Sequence, residues 1–389
     1  MNSTLPRMKY TVLLWVVCIL ICAILLTAGL WPLDFKPENR VKWLPDENGI
    51  RFFGKGMIYS SNPFNSSKDR DVHGAVSIEF WAQPNPERNW GLPRILAFCD
   101  KQKTETFFIE QWRSELILRY EKITGTGREK RRYRQIGLPN AFSNDVKHFI
   151  SVASGTAGTA FYLDGQLAKN YPDFILPSEN IELSEYMVLG NSPSGQEYWS
   201  GDLFGLAFYN RYLTPSEISE SYLSWKQNGY PYTNEDGLVA LYLFNEGKGN
   251  LLKNHQGPAP DLEVPRSFRP LKRAILMLPW QDFRISPSYL DDVVINIAGF
   301  IPFGFFFAAL LLNTARVDRR RAYFLTLILG GTISLVIELT QAFLPTRNSN
   351  LRDLLCNIFG TALGIIVFSI CLPFFVSRKW IGVAGKKEE

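Results

Sequence analysis

Four stretches of the chain, residues 10–29, 293–312, 322–344 and 354–376, are predominantly apolar and each is long enough to cross a bilayer core. Between the first and the second runs a long polar stretch with a different rhythm. From about residue 43 to 265, "AVSIEFWAQP", "RILAFCD", "TFFIEQW", "ELILRYEKI", "HFISVAS" and "TAFYLDGQLAKNY" have period-two alternation or β-rich composition. Asp164-Gly165, between two such runs, predicts a type I′ hairpin. "LTPSEISESYLSWKQNG" is the one clear helix there, with Ser or Thr near its start and Gly after it. Many antiparallel strands without βαβ alternation predict a sandwich or jelly roll. The expected fold is therefore multidomain, an all-β jelly-roll sandwich inserted into a four-helix transmembrane bundle. Its expected parts are a tail and first helix (1–42), the β domain (43–265), a juxtamembrane linker (266–290) and a three-helix region with a tail (291–389).

The first apolar run follows Arg7 and Lys9, as in a signal peptide, but "LLTAGLWPLDF" offers only a weak cleavage site, so an uncleaved helix is expected. Cys18 and Cys22 lack the preceding small residue that a lipoprotein cleavage site needs. Arg7 and Lys9, then Arg316, Arg319, Arg320 and Arg321, then Arg378, Lys379, Lys386 and Lys387 mark one side of the membrane. By the positive-inside rule both termini lie in the cytoplasm and the β domain outside, in a bacterial inner membrane. The basic stretch Arg266, Arg269, Lys272, Arg273 departs from this, but long translocated segments escape the rule.

Composition adds little. The 389 residues are 46% hydrophobic on average and carry a net charge of +5, and no nucleic-acid partner is expected. Of five cysteines only Cys99 falls in the β domain, which must therefore be stable without an internal disulfide. His73, His148 and His255 are scattered, so no histidine metal centre is expected.

The apolar runs also carry polar residues in a repeated arrangement. In "RDLLCNIFGTALG", Asp353, Asn357, Gly360 and Gly364 fall on one helical stripe; "LDDVVINIAGFIPFG" repeats the spacing at Asp292, Asn296 and Gly299. Each stripe reads as a polar head above a small-residue seam. Glu338 and Gln341 share a face of the third helix, with Glu338 about 9 Å below an expected helix end at Leu344. Arg347 and Arg352 are the nearest cations. Asp292, Asn296, Glu338, Gln341, Arg347, Arg352, Asp353 and Asn357 are thus expected to meet at the outer leaflet. Three readings stay open. The cluster is a pocket for a lipid-linked or envelope glycan headgroup; or Glu338 and Asp353 are catalytic candidates acting as base and acid, although no nucleophile or metal set accompanies them; or Glu338, Arg347 and Asp353 lock the helices as buried ion pairs.

In the β domain, sugar binding would need exposed aromatics beside carboxamides and carboxylates. The candidates are Trp90, Trp112, Asn191, Gln196, Glu197, Tyr198 and Trp199. For Trp81 and Trp112 the preferred reading is core filling between the sheets. "REKRRYR", 128 to 134, is read as a solvated hairpin tip, with contact to phosphates of an anionic polymer or headgroup as the alternative. The segment 269 to 286 reads as a short amphipathic piece along the interface, with Trp280 at headgroup depth.

Two resemblances follow from these residues. "GIRFFGKGMIYS", "VSIEFWAQPN", "HFISVASGTAGTAFYLDGQL" and "GDLFGLAFYNRYLTPSEISESY" resemble the successive strands of a concanavalin A-like, laminin-G-like jelly roll over roughly residues 48 to 225. "GLVALYLFNEGKGNLLKNHQG" resembles that family's opening strand but follows the closing helix, as a circular permutation would place it. The resemblance implies a domain that binds sugars or proteins, sometimes with calcium. No dense Asp/Asn loop is visible to hold calcium, and no cofactor is expected. "DDVVINIAGFIPFGFFFAALL" and "IELTQAFLPTRNSNLRDLLCNIFGTALG" resemble the VanZ-like membrane family, whose pattern is met at Glu338, Gln341, Arg347, Asp353, Asn357 and Gly360. It implies a link to glycopeptide (teicoplanin-type) resistance and no assigned reaction. The partners implied are the lipid bilayer and an envelope polysaccharide or lipid-linked glycan.

Overall fold

The structure, a computed structural model, describes residues 4–60, 62–63, 74–85, 89, 91–122, 132–143, 145–176, 186–231, 236–273, 275–279, 287–315 and 317–378. It divides into two compact units, one comprising residues 1–35 with 273–389, the other 36–272. The β unit thus takes in residues 36–42 and 266–272 on either side of the expected 43–265. Phe268, in the expected linker, is buried beside Met57 and Val188.

Two antiparallel sheets form the β unit. The first runs β1 (Val41–Trp43), β2 (Ile50–Phe53), β13 (Ser200–Tyr209), β4 (Val76–Pro84), β9 (His148–Gly155), β10 (Gly158–Leu163) and β11 (Gln166–Tyr171). The second runs β15 (Leu251–Leu252), β16 (Leu262–Glu263), β3 (Ile58–Ser60), β12 (Tyr186–Leu189), β5 (Arg94–Cys99), β6 (Glu105–Trp112), β7 (Glu115–Lys122) and β8 (Arg132–Leu138). β14 (Leu238–Tyr242) pairs with the second half of β13, whose first half pairs with β2. The displaced opening-strand sequence therefore does enter the sandwich. At the β10–β11 turn Asp164 and Gly165 both take positive φ, as a type I′ turn requires.

Apolar residues from both inner faces, among them Phe52, Phe98, Phe107, Phe161, Trp199 and Phe208, fill the space between the sheets. A third layer covers the first sheet. Helix α2 (Pro215–Asn228) starts at Thr214 with a reciprocal Thr214–Glu217 capping box and stops at Gly229 in the left-handed region. It lays Ile218 and Trp225 on Phe149, Ala207 and Tyr209. A Cβ at Gly205 would overlap the Trp225 indole, so glycine is what lets the helix settle. Because β4 and β13 are covered on both sides, their burial loses the alternation of a half-exposed strand.

The helical unit consists of α1 (Thr4–Leu30), α3 (Pro287–Thr314), α4 (Arg319–Gln341) and α5 (Leu351–Ser377). All four are long and apolar enough to cross a membrane and leave broad apolar faces exposed, which places lipid against them. The closest seam joins the parallel helices α3 and α5. A Cβ on Gly360 or Gly364 would overlap the Ile297 or Ile301 carbonyl, and one on Gly304 that of Thr361. Gly299, the expected seam partner, is exposed and has only Leu25 nearby. The doubled spacing therefore does not make two equivalent seams; Gly304 takes the role.

Covering the first sheet also buries a carboxyl. Glu79 on β4 is fully buried and accepts hydrogen bonds from Ser221 Oγ (2.7 Å) and Tyr209 Oη (3.3 Å). Burial pushes its pKa up to about 7, against the pull of these donors. The folded chain thus holds a proton that the unfolded chain releases near 4.5. The favourable contribution is complete below that value and is lost as pH rises to about 7. Denaturant unfolding of the full chain in detergent should show β-unit stability declining across this window by up to roughly 3 kcal/mol, and Glu79→Gln should flatten the decline. A wild-type profile identical to that of Glu79→Gln would contradict the assignment.

Candidate functional sites

One end of the helical unit gathers most of the polar residues singled out from the sequence. It is the end where α1 and α4 finish and α3 and α5 begin. The last carbonyls of a helix have no intrahelical donor, and no water replaces one in lipid. Gln341 Nε2 donates to the Gly29 carbonyl at the end of α1 (2.6 Å), and Arg347 Nη2 donates to the same oxygen (3.1 Å). Glu338 is 2% exposed. Its Oε2 accepts the backbone N–H of Asn350 (2.8 Å), the N-cap position of α5, and the Ser349 hydroxyl also donates to its carboxylate.

The chain enters this region again before α3. Leu276 N–H donates to Ser349 Oγ (3.1 Å), Met277 N–H to the Ser349 carbonyl (2.8 Å), and Leu351 N–H to the Met277 carbonyl (2.9 Å). Residues 275–278 thus lie as a short strap along the α4–α5 connection. Of the expected interfacial segment 269–286, residue 274 and residues 280–286, Trp280 among them, lie outside the described residues.

Arg352 sits apart from Glu338. Its Nε donates to Asp353 (2.9 Å), its Nη2 is 3.9 Å from Asp292, and its guanidinium covers the Tyr289 ring at 4.4 Å. Deeper in, Asn357 Nδ2 donates to Ser334 Oγ (2.9 Å), while its buried Oδ1 has no donor among the described residues. Asn296 is half-buried on α3.

Two expectations need correction. Helix α4 ends at Gln341 rather than Leu344, so Glu338 lies one turn from the helix end and within reach of the connecting loop. Among the described residues Glu338 is in no ion pair; its partners are neutral donors, because Arg347 turns to Gly29 and Arg352 to the two aspartates.

In the β unit the glycan candidates separate by strand parity. Trp199 and Asn191 are 0% exposed. The Trp199 indole lies between the sheets and donates to Gln111 Oε1 (2.8 Å), and Asn191 donates to the Gly56 carbonyl (3.1 Å). Neither presents a surface to a ligand. Tyr198 and Trp112, one residue away from Trp199 and Gln111, point outward and are 37% and 46% exposed. The expectation that Trp112 fills the core is therefore overturned: Gln111 takes the inward position. Arg113, at positive φ in the β6–β7 turn, stacks on the Trp112 ring at 5.3 Å. Trp81 packs on Tyr222 beneath α2, outside the inter-sheet core. Gln196 and Glu197 are half-buried, and Glu197 accepts from the Ser192 hydroxyl. Trp90 and most of the basic 128–134 tip lie outside the described residues.

The same outward face carries a charge network that the sequence pattern concealed. Arg94 pairs with Glu105 (Nε–Oε1 3.0 Å) and with Glu110 through Nη1, while Arg119 Nε lies 3.0 Å from Glu110 Oε1. Tyr198 bridges directly beside Arg94, and Phe108 lies under the guanidinium at 4.1 Å. Glu105 and Glu110, five apart, would face opposite ways on a regular strand. An irregularity where β5 meets β6, between Phe98 and Cys99, brings them to one side. Burial pushes both carboxyls above the ordinary carboxylate range, against the pull of Arg94. With Arg94 bonded to both, the pair is an ion-paired cluster, buried at Glu110 and Arg94, next to Tyr198. Among the described residues no group of three or more His, Cys, Asp or Glu is arranged to hold a metal ion.

Residues 59–219 match the family model described as the concanavalin A-like lectin/glucanases superfamily, Laminin_G_3. Residues 239–372 match that of VanZ/LLP1. No curated protein matches the chain. Similar solved structures include the botulinum neurotoxin serotype D ligand binding domain in complex with N-acetylneuraminic acid, at 10% identity and TM-score 0.38, covering 58% of this chain and 63% of that one. The receptor binding domain of botulinum neurotoxin C/D mosaic serotype is similar at 12% identity and TM-score 0.37, covering 57% and 61%. The binding domain of Paraclostridial Mosquitocidal Protein 1 is similar at 14% identity and TM-score 0.35, covering 50% and 48%. The chain spans about half to three fifths of the length of these structures.

The helix-end geometry can be tested directly. Glu338→Gln keeps an acceptor for the Asn350 N–H and should unfold in detergent like the wild type. Glu338→Leu strands that buried donor and should lose about 1–3 kcal/mol. Equal losses in both variants would mean that the negative charge, and not the hydrogen bond, holds the end together.

Proposed function

We propose that this chain, a concanavalin A-like lectin domain joined to a VanZ/LLP1 helical region, is a membrane-held receptor for a cell-envelope glycan. The reading has both termini in the cytoplasm of a bacterium and the β unit outside, where such polymers lie. The observation that carries it is the outward face of the second sheet. Trp112 and Tyr198 are exposed there, and of the nearby charge network Glu105 and Arg119 are partly accessible while Arg94 and Glu110 are buried. A sugar needs this combination: an aromatic surface for the C–H face of a pyranose and fixed charges for its hydroxyls. The buried Arg94 and Glu110 hold Glu105 and Arg119 in place, so binding meets preformed charges and loses little entropy in ordering them.

For the membrane cluster, the hydrogen bonds support a structural role. Gln341 and Arg347 close the end of α1, Glu338 closes the start of α5, and Arg352 ties Asp353 to Asp292. On this reading the VanZ-like region holds the chain in the bilayer. Any effect on glycopeptide susceptibility then arises through glycan capture near the membrane.

Full-length protein in nanodiscs, applied to an array of envelope polysaccharides and lipid-linked precursors, should bind at least one class. Trp112→Ala should weaken that binding by about tenfold or more, since truncating an aromatic anchor of a binding site costs on the order of 2 kcal/mol, with the thermal unfolding midpoint unchanged. Silence across the array, or binding indifferent to both Trp112→Ala and Tyr198→Ala, would remove the proposal.

A further inference from the structure

The opposite face of the β unit holds a cleft that shares Trp81, Trp225 and Gly229 with the α2 layer but nothing with the Trp112–Tyr198 face. It lies where the C-terminal end of α2 meets the first sheet and has a volume of about 340 Å³. Trp81, Phe204 and Trp225 line it together with Glu47, Asn48, Lys147, Lys226 and Gly229. They come from the β1–β2 loop, β4, the start of β9, β13 and the end of α2. Its size is at the lower end of small-ligand pockets.

Three features suit it to a ligand. Phe204 is the extra residue of a β-bulge, the register of β13 against β4 shifting between Leu203 and Gly205. Bulges of this kind re-aim a side chain, and here the re-aimed ring lines the cleft. The Trp81 ring is fixed by stacking on Tyr222 (5.9 Å, 24°), and its buried Nε1–H finds no acceptor among the described residues. Lys147 hangs over this aromatic surface, 3.6 Å from the Phe204 ring centre and 5.5 Å from that of Trp81. Its ion pair is with Glu47 (3.1 Å), and both side chains are substantially exposed. Such a pair contributes little and exchanges readily. Lys226, on the rim, is exposed above the Tyr222 ring at 5.7 Å. Two ammonium groups against one carboxylate leave the cleft cationic over an aromatic floor.

We propose that this cleft binds an anionic sugar unit, a pyranose bearing a carboxylate or a phosphate. The ring stacks on the half-buried Trp81, with the buried Phe204 and Trp225 forming the wall behind it, and the anion draws Lys147 from Glu47 and engages Lys226. The site is separate from the Trp112–Tyr198 face and does not require that face to bind glycan. Should both bind, one polymer chain could engage two points of the same unit, which raises avidity without new contacts.

The test is titration of the full-length chain in nanodiscs with glucuronate, glucose 6-phosphate, glucose and inorganic phosphate, read by ligand-detected NMR. Glucuronate or glucose 6-phosphate should bind, with glucose weaker by about tenfold, the size of one charge-assisted hydrogen bond. Which of the two binds more tightly assigns the anion as carboxylate or phosphate. Lys147→Gln with Lys226→Gln, both surface changes, should abolish the preference for the charged sugar, while Trp112→Ala should leave it intact. The proposal is overturned if no charged sugar binds, if glucose binds equally, or if inorganic phosphate alone accounts for the affinity. It is equally overturned if the double lysine variant behaves as wild type or if Trp112→Ala removes the binding.

Discussion

Backbone groups at helix ends, in a medium that offers them no water, are the constraint around which the helical unit is arranged. The Gly29 carbonyl, the Asn350 N–H and the backbone of the α4–α5 connection would each be stranded if the helices merely packed. Gln341, Arg347, Glu338 and the 275–278 strap supply their partners. That is why so many polar residues stand at one end of apolar helices. Below them, Gly304, Gly360 and Gly364 let α3 and α5 approach to backbone contact, which holds those ends in register.

The β unit solves a different problem with similar economy. Its two sheets enclose one apolar core, and each sheet then treats its outer face differently. The first covers much of that face with α2 and a second apolar layer, burying Glu79 on the way. The second leaves Trp112 and Tyr198 exposed beside a network of arginines and glutamates. Aromatic and charged side chains thus lie together at two places, where a sheet face is open and where the covering helix stops.

Much of this architecture was legible from the chain because it is local. Apolar length gives the four helices, and period-two alternation gives the strands. Asp164-Gly165 gives a turn, and Ser or Thr near the start with a glycine after the end bounds α2. The sites were harder to read for reasons that can be named. Parity separates Tyr198 from Trp199 and Trp112 from Gln111, and a pattern of adjacent aromatic or amide residues does not reveal which one points inward. A strand irregularity puts Glu105 and Glu110 on one face despite their odd spacing. Glu338 and Arg347 look like an ion pair in sequence, but each satisfies a backbone group of another segment. No local pattern encodes a backbone acceptor contributed by α1.

Strand β13 has one more implication. It lies between β4 and an end-to-end pair, β2 covering its first half and β14 its second. A fragment ending with α2 would lack β14 and leave Leu206–Tyr209 as a bare apolar margin, its N–H and C=O groups free to recruit another molecule's strand. The segment that closes this margin lies beyond α2, so protection of the sheet against self-association is complete only once the chain has run past the closing helix and β14 has paired.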